Sequence, residues 1–410
     1  MVQKGRSVEY IIAASIALAA FLISPLGIEL AAGRSDLSFR VNVISLTCVL
    51  FLLALVAAVL TRGRLRRVCF HALAWILPFV VLAGIEAVAL SIHLADRIAP
   101  LEDTSLLVRK TPWPGHLLSD ASWYWAPGGF RLYREWHSND IAFNALGLRT
   151  AMPTPKAPGE WRIAVSGGSA VWGWRIADAD TIPAQLWDVL RRAGRSNVTV
   201  YNFGIGGASL KEEVALLKHF RDTYALDQVL FYTGGNDVIA TYIGAANKRA
   251  GPLAGNAATF ELVKVAMRLR AMWNEPSAQV LQWLDDKMLP AALKDDTLRP
   301  AIAEADSYCS TSKLRCDFVL QPMMYERKSH SGAEARMMQT LARVYPRIDV
   351  LTARIFADAM QAGPAGRMHD FAHIFDGTEQ PFFLDFVHLN EAGNRIAAEQ
   401  AAPIVVPALR

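Results

Sequence analysis

The sequence predicts an α/β sandwich, a parallel sheet with helices on its faces, preceded by three helices that cross a membrane. Three observations carry this expectation. From about residue 160, short apolar runs alternate with helically spaced segments. Glycine-rich clusters follow the first three of those runs, where a parallel sheet binds its ligands. Residues 1–95, in contrast, are dominated by Leu, Ala, Val and Ile.

Within that first part, apolar segments at about 9–31, 42–60 and 68–92 match the ~20 residues at 1.5 Å each that span a bilayer. Arg62, Arg64, Arg66 and Arg67 separate the second from the third, and Lys4 and Arg6 precede the first. Positive loops stay inside, so the N-terminus is expected in the cytoplasm and everything after about residue 93 outside. A bacterial inner membrane with a periplasmic domain is the expected location. Arg34 and Arg40 point the other way, but Asp36 shares their loop. The first run exceeds a signal-peptide core although "ELAAG" offers a cleavage site, and it is read as a retained anchor. Glu86 falls roughly 27 Å along the third segment, near the far interface, and Glu29 comes out near the same face. Both are read as headgroup-level residues. A net charge of +4 over 410 residues, with no basic run outside the membrane loops, excludes nucleic acid as a partner.

The elements after the membrane segments follow in order. Residues 96–160 are irregular and rich in Trp, Tyr and Pro, a linker that wraps the domain. The α/β domain is placed at 161–410. "WRIAVS" is a buried strand, and "TIPAQLWDVLRRAG" a helix closed by Gly194. "VTVYNF" is the second strand, and "SLKEEVALLKHFRDTY" a helix with Ser209 as N-cap. "DQVLFYTGG" is the third. The interval 240–308 is too long for a plain connection and is helical in pattern, either a lid or membrane-docking insertion or an extra packing layer. Then come "CDFVLQP", one long helical stretch "GAEARMMQTLARVYPRIDVLTARIFADAM", and a last helix from "NEAGNRIAAEQ".

Four clusters stand at the ends of these elements: "SGGSAVWG", "NFGIGGAS", "YTGGND" and "LDFVHLN". In identity and order they resemble the blocks of the SGNH (GDSL-like) hydrolase family, over roughly residues 144–405 beginning near "FNALGLR". The resemblance implies a flavodoxin-like three-layer α/β/α sandwich and no cofactor or metal. It implies Ser169 as nucleophile, with Asp385 and His388 completing a triad. It further implies an oxyanion hole from the Ser169 and Gly207 backbone N–H groups and the Asn236 side-chain amide.

The chemistry explains why these residue types occur together. A serine hydroxyl needs an adjacent base, and an imidazole can take its proton and return it to the leaving group. A carboxylate three residues earlier can orient that ring. Preorganised donors stabilise the oxyanion, each worth about 3 kcal/mol. Taken singly, each residue has a plainer reading: Ser169 as turn chemistry, Asn236-Asp237 as a cap, Asp385 and His388 as caps of the last helix. Their ordered co-occurrence favours catalysis. One departure stands out, since Gly168 occupies the place where the family usually has Asp before the serine.

Other residues carry weaker signals. Trp172 and Trp174 either line the substrate site or pack beneath a helix. His369 and His373 have a spacing that binds metal on a helix, but no third ligand accompanies them. Cys309 and Cys316 flank a polar loop and would join as a disulfide in an oxidising compartment; two unrelated thiols are the other reading. Cys48 and Cys69 are read as packing residues of the membrane helices.

The expected function is that of a membrane-anchored, periplasm-facing serine esterase. It would remove O-acyl groups, acetyl above all, from a cell-surface or exported carbohydrate through an acyl-enzyme. The alternatives are an O-acyltransferase with the same triad, supplied by a partner in acyl-transfer or polysaccharide-export machinery, and a non-catalytic glycan-binding protein. The partners so implied are an acylated carbohydrate and the lipid bilayer.

Overall fold

The apolar run expected as one crossing at 9–31 is two helices, α1 (Val2–Leu22) and α2 (Pro25–Ala32). Pro25 has no N–H to continue α1 and suits the first position of a new helix. Ser24 reinforces the break: its hydroxyl donates to the Phe21 carbonyl (2.6 Å) and accepts from the Gly27 N–H (3.0 Å). The expectation of three crossings is therefore corrected. Among the described residues two helices are long and apolar enough to cross a membrane, Val41–Leu60 and Gly63–Ala89, within α3 (Phe39–Leu60) and α4 (Gly63–Ser91). Trp75, Phe79 and Val88 on α4 are exposed, as an apolar surface suited to lipid is.

The computed structural model describes residues 2–32, 39–91, 94, 123–126, 130–257, 261–273 and 275–405. Arg34, Asp36 and most of the linker before residue 123 lie outside that set. The chain divides into two units, Met1–Pro100 with Ala250–Trp273, and Leu101–Arg249 with Asn274–Arg410.

The second unit begins with two short antiparallel pairs, β1 (Trp123–Ala126) with β2 (Phe130–Tyr133), and β3 (Trp136–His137) with β4 (Ala142–Phe143). Next come β5 (Trp161–Gly167), α5 (Ser169–Trp172), α6 (Ile182–Arg192), β6 (Val198–Gly204), α7 (Leu210–Tyr224) and β7 (Gln228–Thr233). Helices α8 (Gly235–Ala257), α9 (Glu261–Trp273), α10 (Ala278–Trp283), α11 (Leu289–Lys294) and α12 (Leu298–Thr311) lead to β8 (Arg315–Leu320). The chain ends with α13 (Gly332–Val344), α14 (Ile348–Ala362), β9 (Met368–Asp370) and α15 (Glu391–Val405).

Strands β5 to β9 form one parallel sheet in the order β6-β5-β7-β8-β9. This is the flavodoxin-like order 2-1-3-4-5, with a switch point where β6 and β7 flank β5. Period-2 alternation sends Ile163, Val165 and Leu230 into one core with Leu186 and Leu190 of α6 and Ala397 and Ala401 of α15. Their neighbours Ala164, Val229 and Phe231 enter the other, with Leu217 of α7, Ile302 of α12 and Ile355 of α14. Helices thus cover both faces, and each fully buried Leu, Ile, Val or Phe contributes about 1.5–3 kcal/mol.

Several sequence expectations change. Strand β9, three residues with the polar pattern "MHD", was not anticipated. The long helical stretch is broken into α13 and α14 because Pro346 disfavours helix at the residue before it, and Arg347 takes a left-handed φ of 71°. The interval 240–308 is several things at once. Residues 250–273 group with the N-terminal helices α1 to α4. There Glu86, expected at headgroup level, is 2 % exposed and accepts the Leu262 N–H at the start of α9 (2.9 Å). Helix α12, in contrast, packs on the sheet through Leu298, Ala301, Ile302 and Ala305. Cys309 and Cys316 are joined as a disulfide between α12 and β8.

Candidate active site

The switch point gathers the four clusters. Strand β5 ends at Gly167, whose carbonyl accepts the Ile205 N–H (2.9 Å) beyond β6. Ser169 is the first residue of α5, where a backbone N–H has no acceptor within its own helix. The turn after β6 closes through Ala208 N–H to Ile205 O (3.1 Å), and Gly207 sits in it at φ 78°, a conformation that favours glycine. Asn202 fastens this loop to α5: its Nδ2 donates to the Val171 carbonyl (3.0 Å) and its Oδ1 accepts the Gly204 N–H (2.8 Å).

Asn236 stands in the first turn of α8, and its Nδ2 donates to the Ala208 carbonyl (2.8 Å). The same nitrogen lies against Gly168. A Cβ at 168 would lie 2.2 Å from Asn236 Nδ2, so a side chain there requires the amide to move.

The fourth cluster folds as a tight turn. Asp385 Oδ1 accepts the N–H groups of Val387 and His388 (both 2.8 Å), the Asx geometry this residue type favours. Leu384 N–H donates to the His388 carbonyl (2.8 Å), closing the turn. The remaining carboxylate oxygen, Oδ2, lies 2.7 Å from His388 Nδ1, and His388 Nε2 lies 2.7 Å from Ser169 Oγ. With Nδ1 donating to Asp385, the lone pair of Nε2 faces the serine hydroxyl. Burial pushes the Asp385 carboxyl up. The charge and N–H of His388, with the backbone N–H groups of Val387 and His388, outweigh this and hold it below the usual carboxylate range. The arrangement can deprotonate a serine at neutral pH and hold an imidazolium.

Of the two tryptophans, Trp174 stacks on the His388 ring at 4.5 Å between centroids. Trp172 is 3 % exposed and stacks instead on Tyr133 (5.5 Å) and Phe143 (6.0 Å), so it packs the wall rather than lining the site. His369 and His373 share no helix face. His369 is in β9, 3.7 Å from Asp317, whereas His373 is 3.2 Å from Asp376. Among the described residues no three His, Cys, Asp or Glu side chains converge as a metal site.

Sequence reasoning missed the residues beneath the site. Arg149, fully buried at its side chain, donates to the carbonyls of Trp172 (2.9 Å), Gly173 (2.6 Å) and Ile176 and pairs with Asp178. It fixes the loop that presents Trp174. Arg149 lies in "FNALGLR", where the resemblance begins, and the sequence attached no role to it. Beneath Asn236, Asp237 is 1 % exposed and accepts the Leu210 N–H (3.2 Å). Burial pushes it up to about 7. Glu213, equally buried, accepts from the Thr233 hydroxyl (3.0 Å), and burial followed by the nearby Asp237 charge pushes it well above the usual range.

No protein-family model and no curated protein matches the chain. Solved structures do. An acylhydrolase of Bacteroides fragilis, described as putative in its own report, is 14% identical, with 63% of this chain and 92% of that one covered and a TM-score of 0.32. An acetyl xylan esterase is 13% identical over 60% of this chain and 99% of its own, with a TM-score of 0.31. A lipase/acylhydrolase of Enterococcus faecalis is 12% identical over 61% and 97%, with a TM-score of 0.33. At such identities and scores, the strand order and the side-chain geometry of this chain itself remain the basis for reading its chemistry.

Proposed function

We propose that the chain is a membrane-anchored serine esterase of SGNH type, facing the periplasm, that removes O-acetyl groups from an exported carbohydrate. The observation that carries this reading is the relay from Asp385 Oδ2 through the His388 ring to Ser169 Oγ, with both contacts at 2.7 Å.

In the reaction, Ser169 Oγ attacks the acetyl carbonyl carbon while His388 Nε2 takes the hydroxyl proton. The carbonyl oxygen becomes an oxyanion, which the N–H groups of Ser169 and Gly207 and the Asn236 amide would hold. Collapse breaks the bond to the sugar oxygen, and His388 returns the proton to that oxygen as it leaves. Water then attacks the acetyl-serine, again giving its proton to His388, which returns it to Ser169 Oγ as the acyl–oxygen bond breaks and acetic acid departs. Asp385 stays ionised throughout and stabilises the imidazolium. Anchoring draws on α3 and α4, and the carbohydrate on the outward location that the four-arginine loop favours.

The test is intact mass of the full-length protein in detergent after exposure to a fluorophosphonate. A single adduct on the parent, absent from Ser169→Ala, is expected. Folded protein that takes up no adduct would overturn the reading.

A further inference from the structure

Ser169 and His388 come from segments 219 residues apart, and a third residue touches both. Trp174 lies in the loop after α5 and is partly exposed. Its backbone N–H donates to the Ser169 carbonyl (3.1 Å), as does that of Gly173 (3.0 Å). Its indole stacks on the His388 imidazole, with centroids 4.5 Å apart and planes inclined by 29°. One residue is thus tied to the peptide of the nucleophile through its backbone and to the base through its ring.

The loop is fixed in that pose. Gly173 and Arg175, on either side of Trp174, both adopt left-handed backbone, at φ 90° and φ 56°. The conformation is unfavourable for Arg175, which carries a Cβ, and it persists where the surroundings enforce it. Here the buried Arg149 guanidinium enforces it by donating to the carbonyls of Trp172, Gly173 and Ile176. The Arg175 guanidinium carbon in turn lies 5.0 Å from the indole centroid, a second contact on the ring. A platform for a sugar calls for an open ring face, whereas this indole already meets His388 and Arg175.

The triad leaves a task for such a contact. Hydrogen bonds at Nδ1 and Nε2 act in the plane of an imidazole and leave its tilt unopposed. After acylation, Ser169 Oγ carries the acyl group and has no proton to share, so the Nε2 contact is lost. The ring must still take a proton from water along a defined line, and a misplacement of about 1 Å can cost about 10²-fold. Asp385 and the stacked indole hold it through that interval. The indole face also favours the imidazolium formed in each half of the reaction.

We propose that Trp174 is a positioning residue for the general base, keeping the His388 ring aligned above all while the acyl-enzyme awaits water. The role rests on the esterase reading. The test uses full-length protein in detergent, with Trp174→Phe, which keeps a flat ring, and Trp174→Leu, which keeps apolar bulk without one. Rapid-mixing hydrolysis of p-nitrophenyl acetate separates the acylation rate from the deacylation rate, and steady-state runs give kcat and KM.

Trp174→Leu should lower kcat about 30-fold or more, with KM no higher than that of the parent and deacylation slowed more than acylation. Trp174→Phe, which can stack likewise, should stay within about threefold of the parent. Equal losses for Phe and Leu mark simple packing and overturn the proposal. So does a rise in KM at unchanged kcat, the signature of a substrate platform, and so does a loss confined to acylation. Failure of the esterase reading looks different: the parent itself turns over no p-nitrophenyl acetate and takes up no fluorophosphonate, and the positioning role falls with it.

Discussion

Asp385 and Asp237 are two buried carboxylates at opposite sides of one site, 8 % and 1 % exposed, and they are driven in opposite directions. Burial pushes both up. Asp385 gathers three N–H donors, one of them on an imidazole that can carry charge, and ends below the usual range. Asp237 receives the Leu210 N–H, with the Asp296 charge opposing it, and ends at about 7. Donors, not depth, decide which carboxylate is ionised. The His388 side of the site is therefore built around a fixed negative charge, and the Asn236 side, the proposed oxyanion side, rests on carboxyls that give up their protons late.

The comparison breaks most severely at Asp385. Asp385→Asn keeps shape but leaves His388 Nδ1 without a carboxylate, favouring the wrong tautomer and an unsupported imidazolium. An aryl acetate should be turned over about 10⁴-fold more slowly, with a near-normal melting temperature. Retention of a tenth of the parental kcat would remove Asp385 from the relay.

On the oxyanion side the sensitive point is Gly168. Gly168→Ala places a Cβ 2.2 Å from Asn236 Nδ2 and must displace the amide. Loss of one such donor costs about 10²–10³ in kcat. Displacement also predicts non-additivity: in an Asn236→Ala background, where the obstruction is gone, Gly168→Ala should cost little more. Full additivity in the double-mutant cycle would mean that Gly168 acts by another route.

The same contrast explains what was legible in the sequence. Strands β5 to β8 were readable because each is an apolar run bounded by glycine or polar residues, and the site clusters because local chemistry is written in adjacent letters. Ser209 shows the same locality: it forms a capping box with Glu212 three residues on, whose carboxylate accepts the Ser209 N–H (2.8 Å). Groups whose meaning depends on distant partners were silent. Arg149 reads as one more surface charge until Trp172, Gly173 and Asp178 close around it. Glu213 and Asp237 read as ordinary helix acids. The break at Pro25 and the split at Pro346 were visible residues whose local effect was underweighted against apolar periodicity.

Asp237 also offers the finest test of the contrast, through stability rather than rate. Its folded-state pKa, about 7, lies above the usual 3.8. Between these values the unfolded chain loses this proton while the folded chain keeps it, so the group's contribution to stability falls as pH rises through that window. Asp385 has the opposite sign: its contribution is present above the usual value and is lost as pH falls below it. Asp237→Asn keeps an oxygen to accept the Leu210 N–H and removes the ionisation. Relative to the parent, it should gain on the order of 2 kcal/mol between pH 5 and pH 8. All other titrating groups except the neighbouring Glu213, whose carboxyl burial pushes well above the usual range, behave alike in the two proteins. Melting curves of both proteins across pH 5 to 8 should therefore diverge towards the alkaline end. Parallel curves would show that Asp237 is ionised in the folded state at pH 5, and the oxyanion side would then share the electrostatic character of the base side.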